Sequence, residues 1–281
     1  AFLTWAFRMP LLVIGAGLGE AAALSENANL DWNTFIDQYV LTETGSKYLA
    51  EIQPGLDFNS LSPEEQTRYA LAVFNLILRD AGRSYSEVGN YDTALDAIEI
   101  LFGEDYEFSG DILTRSRDIR TTRGGNIDIL IPGGGLSLAN SSFGNTLSPP
   151  GIITESGGNI SIFAKDDVSI GIGRIFTLRG GDEIIWSSDG NIAAGSSSKT
   201  VASAPPTRVI IDPQSAAVQT DLAGLATGGG IGVLATVAGV KPGNVDLIAP
   251  NGFVDAGDAG IRSAGNLNIS ASQVLNAGNI S

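Results

Sequence analysis

The sequence contains no cysteine, no histidine and a single methionine, Met9, in 281 residues. Without cysteine or histidine, a Cys/His zinc site and an iron–sulfur cluster are excluded. Triads built on histidine, Cys–His pairs and HExxH chemistry go with them. No disulfide framework can form, so an exported version of this chain must be held by size and packing. Charge is also sparse, at 17% of residues, and 31 acidic against 16 basic residues give a net charge of −15. That balance excludes nucleic acid and anionic membranes as partners, because both need clustered Lys and Arg. With 43% hydrophobic residues the chain is not an acidic disordered tail either. Long apolar runs are missing too. The apolar start has Arg8 as its only cation and is broken by Pro10, Gly15, Gly17 and Gly19. It is too interrupted to span a membrane, lacks the basic region of a signal peptide, and reads as a buried strand or two. The chain opens Ala1-Phe2-Leu3-Thr4-Trp5 without an initiator methionine, as expected of an internal piece of a longer polypeptide.

What the chain does have is glycine, unevenly spread. Of 36 glycines, 9 lie in residues 1–123 and 27 in residues 124–281. Residues 24–107 read as helical. Asp31 caps a short helix carrying Trp32, Phe35, Ile36 and Tyr39 on one face. Ser62-Pro63-Glu64-Glu65 is a capping box with proline at the first helical position. Tyr69, Leu71, Ala72, Val73, Leu76, Ile77 and Leu78 continue it at helical period, with an end expected near Gly82. A third helix is expected from about Asp92 to Phe102, with Leu95, Ile98, Leu101 and Phe102 inward and Gly103 as its stop.

The second half alternates apolar and polar residues in short runs that follow glycine and asparagine. The strings are Gly125-Asn126-Ile127-Asp128-Ile129, Gly158-Asn159-Ile160-Ser161-Ile162, Gly190-Asn191-Ile192, Gly243-Asn244-Val245-Asp246-Leu247, Gly265-Asn266-Leu267-Asn268-Ile269 and Gly278-Asn279-Ile280. The starts at Gly158 and Gly181 lie 23 residues apart, and those at Gly243 and Gly265 lie 22 apart. This is the spacing of one rung of a parallel β-solenoid, so the fold class read from the pattern is mainly β. Within one rung Val245, Leu247 and Ala249 face one side, with Asp246 and Ile248 on the other. Pro250-Asn251-Gly252 makes the corner, after which Phe253 is expected to re-enter the core. Gaps of 53 and 33 residues break the period, and Ser196–Pro206 and Ser141–Pro150 are read as loops bulging from the solenoid.

Candidate sites are few. Leu11-Leu12-Val13-Ile14-Gly15-Ala16-Gly17-Leu18-Gly19-Glu20 imitates a strand and dinucleotide loop, but the third motif glycine falls on Glu20 or, in the other register, on Ala22. No βαβ series follows, so no cofactor is expected. Asp166-Asp167, Asp182-Glu183 and Asp255 with Asp258 are the plausible catalytic carboxylates, since such pairs cleave polysaccharides in other proteins. Adjacent residues of a strand point to opposite faces, and aspartate at a corner is usually a turn former. The glycine-rich calcium nonapeptide and the EF-hand loop are absent, which leaves isolated corner carboxylates as weak calcium ligands. Arg115, Arg117, Arg120 and Arg123 form the one basic cluster. It suits an acidic glycan or, by the commoner arrangement, pairs with Asp111, Asp118 and the acidic helices. Phe163 and Trp186 point outward, where they would either pack or stack on sugar rings. Arg115, Arg117, Arg120 and Trp186 are therefore the glycan- or partner-contact candidates.

Three strings resemble a known group. They are Arg123-Gly124-Gly125-Asn126-Ile127-Asp128-Ile129-Leu130-Ile131-Pro132-Gly133-Gly134, Gly157-Gly158-Asn159-Ile160-Ser161-Ile162-Phe163-Ala164 with Arg174-Ile175-Phe176-Thr177-Leu178, and Gly243 to Gly252 with Asp255-Ala256-Gly257-Asp258-Ala259-Gly260-Ile261. Over residues 108–281 the chain resembles the filamentous haemagglutinin family of two-partner secretion adhesins, in a region towards their C-terminal side. The resemblance implies a right-handed parallel β-helix over residues 108–281, with residues 24–107 a helical insertion; residues 1–23, from their own apolar pattern, are expected to be a strand segment joining the β-helix. It implies a secreted cell-surface protein of a Gram-negative bacterium, exported through an outer-membrane transporter that engages a domain outside this chain. The function implied is a non-enzymatic structural shaft in attachment or biofilm, with a surface glycan or protein receptor, or self-association, as further contacts. A β-helical polysaccharide-cleaving enzyme and an extracellular filament subunit are the alternatives.

Overall fold

The structure is a computed structural model and describes residues 11–14, 30–103, 108–114, 117–139, 150–196, 208–211, 218–221, 228–234 and 239–281. It is mainly parallel β-structure with a helical part. Strand β1 (Leu11–Ile14) comes first. The helical part follows as α1 (Trp32–Phe35), a π-turn (Ile36–Val40), α2 (Glu43–Ile52), α3 (Pro63–Val88) and α4 (Asp92–Phe102). Sixteen further strands then run β2 (Ile112–Leu113), β3 (Ile119–Thr121), β4 (Ile127–Ile131), β5 (Leu136–Ala139), β6 (Gly151–Thr154), β7 (Ile160–Ala164), β8 (Val168–Gly171), β9 (Arg174–Thr177), β10 (Glu183–Ser187), β11 (Ile192–Ala193), β12 (Arg208–Ile211), β13 (Val218–Asp221), β14 (Gly230–Val233), β15 (Val245–Asp255), β16 (Ile261–Ser263) and β17 (Leu267–Leu275).

Capping explains the helices. Asp31 accepts the Thr34 N–H at 3.0 Å, and Ser62 and Glu65 form the expected capping box. The sequence pattern places the end of α3 near Gly82, but the helix runs on to Val88 and closes with Gly89 in the left-handed conformation. Gly82 is instead a point of close approach, since a Cβ there would collide with the Ile248 side chain. Helix α2 has no counterpart in the sequence reading; it starts where Thr42 accepts the Gly45 N–H at 3.0 Å. In α4, Ala94, Ala97, Ile98, Leu101 and Phe102 are buried, whereas Leu95 is 44% exposed and does not join them.

The parallel strands form three stacks. The first is β4–β7–β10–β15–β17, capped antiparallel by β1, and the second is β2–β5–β8–β11–β15–β17. Strands β15 and β17 run through both and join them into one sheet. The third stack is β3–β6–β9–β14–β16. The chain visits first, second and third stack in turn and then repeats the circuit. Successive first-stack strands align Ile127 with Ile160, Ile160 with Glu183, Glu183 with Val245 and Val245 with Leu267. The steps are thus 33, 23, 62 and 22 residues. The long steps add chain mainly between the second and third stacks, from β5 to β6 and from β11 to β14, where the antiparallel pair β12–β13 lies; the longest step also lengthens the run from β14 to β15. Of the loops expected at Ser141–Pro150 and Ser196–Pro206, residues 141–149 and 197–206 lie outside the described residues.

Two cores result. Between the stacks, Ile127, Ile129, Leu136, Ile152, Ile162, Leu247 and their like form an aliphatic interior that, among the described residues, holds no aromatic ring. On the outer face of the first stack, Leu130, Phe163, Trp186 and Ile248 pack beneath Phe35, Phe74, Leu78, Tyr91 and Phe102 of the helical part. Three expectations of the strand pattern need correction. Gly190-Asn191 starts a second-stack strand, β11, and Gly278-Asn279 lies in a 3-10 turn before Ile280, which bridges Ile261 of the third stack. Past the corner at Pro250-Asn251-Gly252 the core is filled by Val254 and Ala256, both fully buried, while Phe253 is only half-buried. A register shift in the β15–β17 pairing falls between Ala249 and Phe253, at that corner.

Candidate functional site

The carboxylates and amides singled out by the sequence converge on the corners. At the corner from third to first stack, each side chain accepts the backbone N–H of its counterpart one circuit on. Asn126 Oδ1 accepts from Asn159 at 2.9 Å, Asn159 from Asp182 at 2.9 Å, Asp182 from Asn244 at 2.7 Å and Asn244 from Asn266 at 3.0 Å. Beside this ladder, the Thr121, Thr154 and Thr177 hydroxyls donate to the Gly125, Gly158 and Gly181 carbonyls at 3.0, 2.9 and 3.0 Å. Gly158 and Gly181 have φ of 102° and 100°, and a Cβ on either would run into the glycine carbonyl one circuit below. The first-to-second corner has a shorter ladder, with Asp167 Oδ1 accepting the Asn191 N–H at 2.7 Å and Asn191 Oδ1 the Phe253 N–H at 3.0 Å. Asp111 accepts the Gly135 N–H at 2.9 Å, and Asp255 accepts the Gly257 N–H at 2.8 Å and the Asn276 amide at 2.7 Å.

The pair Asp182–Glu183 therefore does not open onto a shared cleft. Asp182 belongs to a ladder while Glu183, its neighbour, is fully buried between the stacks. Asp166 and Asp167 are both exposed at a corner, and Asp167 is engaged with Asn191. Asp258 is exposed beside a turn. The ladder role was missed in the sequence. Its signal is the Thr-x3-Gly-[Asn/Asp] spacing, repeated at Thr121, Thr154 and Thr177.

Arg120 is pinned between two carboxylates, donating to Glu155 at 2.8 Å and Asp118 at 2.7 Å, and is 29% exposed. Asp118 in turn accepts the Gly151 N–H at 2.8 Å. Arg117 and Arg123 are exposed, and Arg115 lies outside the described residues. Trp186 is not available to a sugar. It does point away from the inner core, as alternation predicts, but it is fully buried under the helical part. Its Nε1 donates to Ser188 Oγ at 2.9 Å and its ring meets Tyr91 edge-on at 5.7 Å. Phe163 is likewise fully buried, stacked on Phe102 at 5.0 Å.

The interface that buries them is also polar at its rim. Arg83 makes two 2.7 Å hydrogen bonds to the buried Asp246, Asn75 donates to Asp128 at 2.9 Å, and the Tyr91 and Ser270 hydroxyls lie 2.6 Å apart. Desolvation pushes the Asp128 carboxyl up to about 6, against the hydrogen bonds from Ser161 and Asn75. The Asp246 hydrogen bonds hold the Arg83 guanidinium above its ordinary value. A groove of about 280 Å³ in the helical part is lined by Val40, Leu41, Leu49, Gln53, Phe58 and neighbours, with Asp57 its only titratable residue. Among the described residues no group of three or more Asp and Glu is placed to hold a metal ion.

Residues 180–281 match the model of a family described as filamentous haemagglutinin family outer membrane protein, so the resemblance seen in the sequence is borne out over β10 to β17. No curated protein and no solved structure matches the chain. No helix among the described residues is long and apolar enough to cross a membrane.

Proposed function

From the filamentous haemagglutinin family match over residues 180–281, we propose that this chain is part of a secreted, non-catalytic surface adhesin and serves as a rod-like segment in cell attachment or biofilm. On this reading the three stacks are the faces of a right-handed parallel β-helix, the hand favoured when one parallel strand crosses over to the next. The observation that carries it is the corner ladder running unbroken from Asn126 to Asn266. A ladder of this kind repeats one strand spacing, about 4.8 Å, per circuit and gives a rigid extended body. Of the candidate carboxylates, Asp182 is committed to a backbone N–H in this ladder, Asp167 to one in the shorter ladder, and Glu183 is enclosed in the core. Export through an outer-membrane transporter and a glycan or protein receptor at the cell surface belong to the same proposal.

Deleting residues 1–281 from the full-length gene tests it. Export should continue, while attachment to surfaces or cells should fall; unchanged attachment by a fully displayed deletion protein would overturn the role. Incubation of the purified chain with a panel of acidic polysaccharides should give no shortened products. Turnover that disappears in Asp182→Asn would establish the enzyme instead.

A further inference from the structure

The inward column of the first stack reads Ile127, Ile160, Glu183, Val245, Leu267. Four members are aliphatic and one is a carboxylic acid. Glu183 is fully buried; its Oε1 accepts the Thr177 backbone N–H at 3.0 Å, and its Oε2 is enclosed with no protein partner. Among the described residues it is the only ionisable side chain at an inward position. Facing it are Ile160 of β7, Val245 of β15 and Thr177 of β9, whose hydroxyl is already given to the Gly181 carbonyl. The charged residues nearest along the chain, Arg179 and Asp182, sit in the corner, and Asp182 is taken up by Asn244. On the outer face of the same stack Asp128 meets Asn75 and Asp246 meets Arg83, so neither pair reaches the core.

An ionised carboxylate enclosed with one hydrogen bond and no cation is strongly disfavoured, whereas a carboxylic acid is tolerated. We propose that the circuit containing β10 closes around a protonated Glu183, so that folding takes up a proton and this part of the molecule loosens as the medium becomes alkaline. Burial drives the carboxyl well above its ordinary value and the Thr177 N–H opposes the shift, which agrees with this geometry. An unfolded glutamate titrates near 4.3. The stabilisation is complete below that pH and declines as pH rises, until the folded carboxyl has itself ionised. Within the window, one proton bound by the folded state alone changes the folding constant about tenfold per pH unit. The inference rests on the stacked strands and not on the adhesin role.

Urea unfolding of the whole chain from pH 4.5 to 8 tests it, with wild type beside Glu183→Gln. The amide keeps an acceptor for Thr177 and carries no charge. Wild type should lose up to about tenfold in folding constant per pH unit relative to Glu183→Gln within the window. Equal slopes in the two proteins would overturn the proposal. Should Glu183→Gln fail to fold, Glu183→Leu replaces it, leucine being the residue at the matching position Leu267, and the same comparison applies. Hydrogen exchange at the Thr177 amide of the wild type gives a second readout: its protection factor should fall with pH, and a constant factor would speak against proton-coupled closure.

Discussion

The helical part and the stacked strands bury their side chains by different means. Apart from Glu183, the interior between the stacks is dominated by Ile, Leu, Val and Ala, one residue type aligned on another of similar size. The junction with the helices is built from Phe35, Phe74, Phe102, Phe163, Tyr91 and Trp186, packed edge-on or stacked at centroid distances from 5.0 to 5.9 Å. Stacked strands bring identical positions into contact at a fixed spacing, so a repeated aliphatic shape fills the space. Helices laid over a sheet leave gaps of varied depth, and large rings at varied angles fill those. A periodic interface is solved once and copied. A junction must be solved residue by residue.

The sharpest break in the periodic half is Gly181→Val. Its positive φ and the Gly158 carbonyl below both forbid a β-branched side chain, and the cost should reach about 4 kcal/mol or more. Loss of the β-sheet circular dichroism signal at ambient temperature would register it. In the junction, Phe74→Ala should cost about 3–5 kcal/mol. Here the helical signal should melt ahead of the strand signal; simultaneous melting would show that the two regions are one cooperative unit.

Asp128 separates the regions by pH. Its carboxyl is raised, to about 6, so its stabilisation of the folded state is full below the unfolded value near 3.9 and is lost as pH rises through about 6. Asp128→Asn keeps an acceptor for Asn75 and should flatten that decline, gaining about 1–2 kcal/mol at pH 7 in a titration of thermal midpoints. Smallest of all, Arg120→Ala should change stability by less than about 1 kcal/mol, because the ion pairs of Arg120 with Asp118 and Glu155 are partly exposed and lie outside both cores. Differential scanning calorimetry would check it.

Much of the periodic half could be read from the chain because each Gly-Asn string restates the same corner. The filamentous haemagglutinin family match covers residues 180–281 of this half. What escaped was the use of the asparagine: in one string it looks like a turn former, and its hydrogen bond goes to a residue 22 to 62 positions away. The junction was legible only where local rules decide, as in the Ser62 capping box. Gly82 carries the mark of a helix end, yet its role is set by Ile248, which is 166 residues distant along the chain. Trp186 shows the same limit. Alternation gave its direction, and nothing in its own strand could reveal the helices that cover it.

The joint between second and third stacks accepts very different amounts of chain. Steps of 22, 23, 33 and 62 residues each advance the stack by one strand. Reach is thus counted in corner motifs and is indifferent to polypeptide mass. On the rod-like reading proposed above, sequence can be added or removed at this joint as decoration, changing what the molecule displays sideways while its lengthwise measure stays the same.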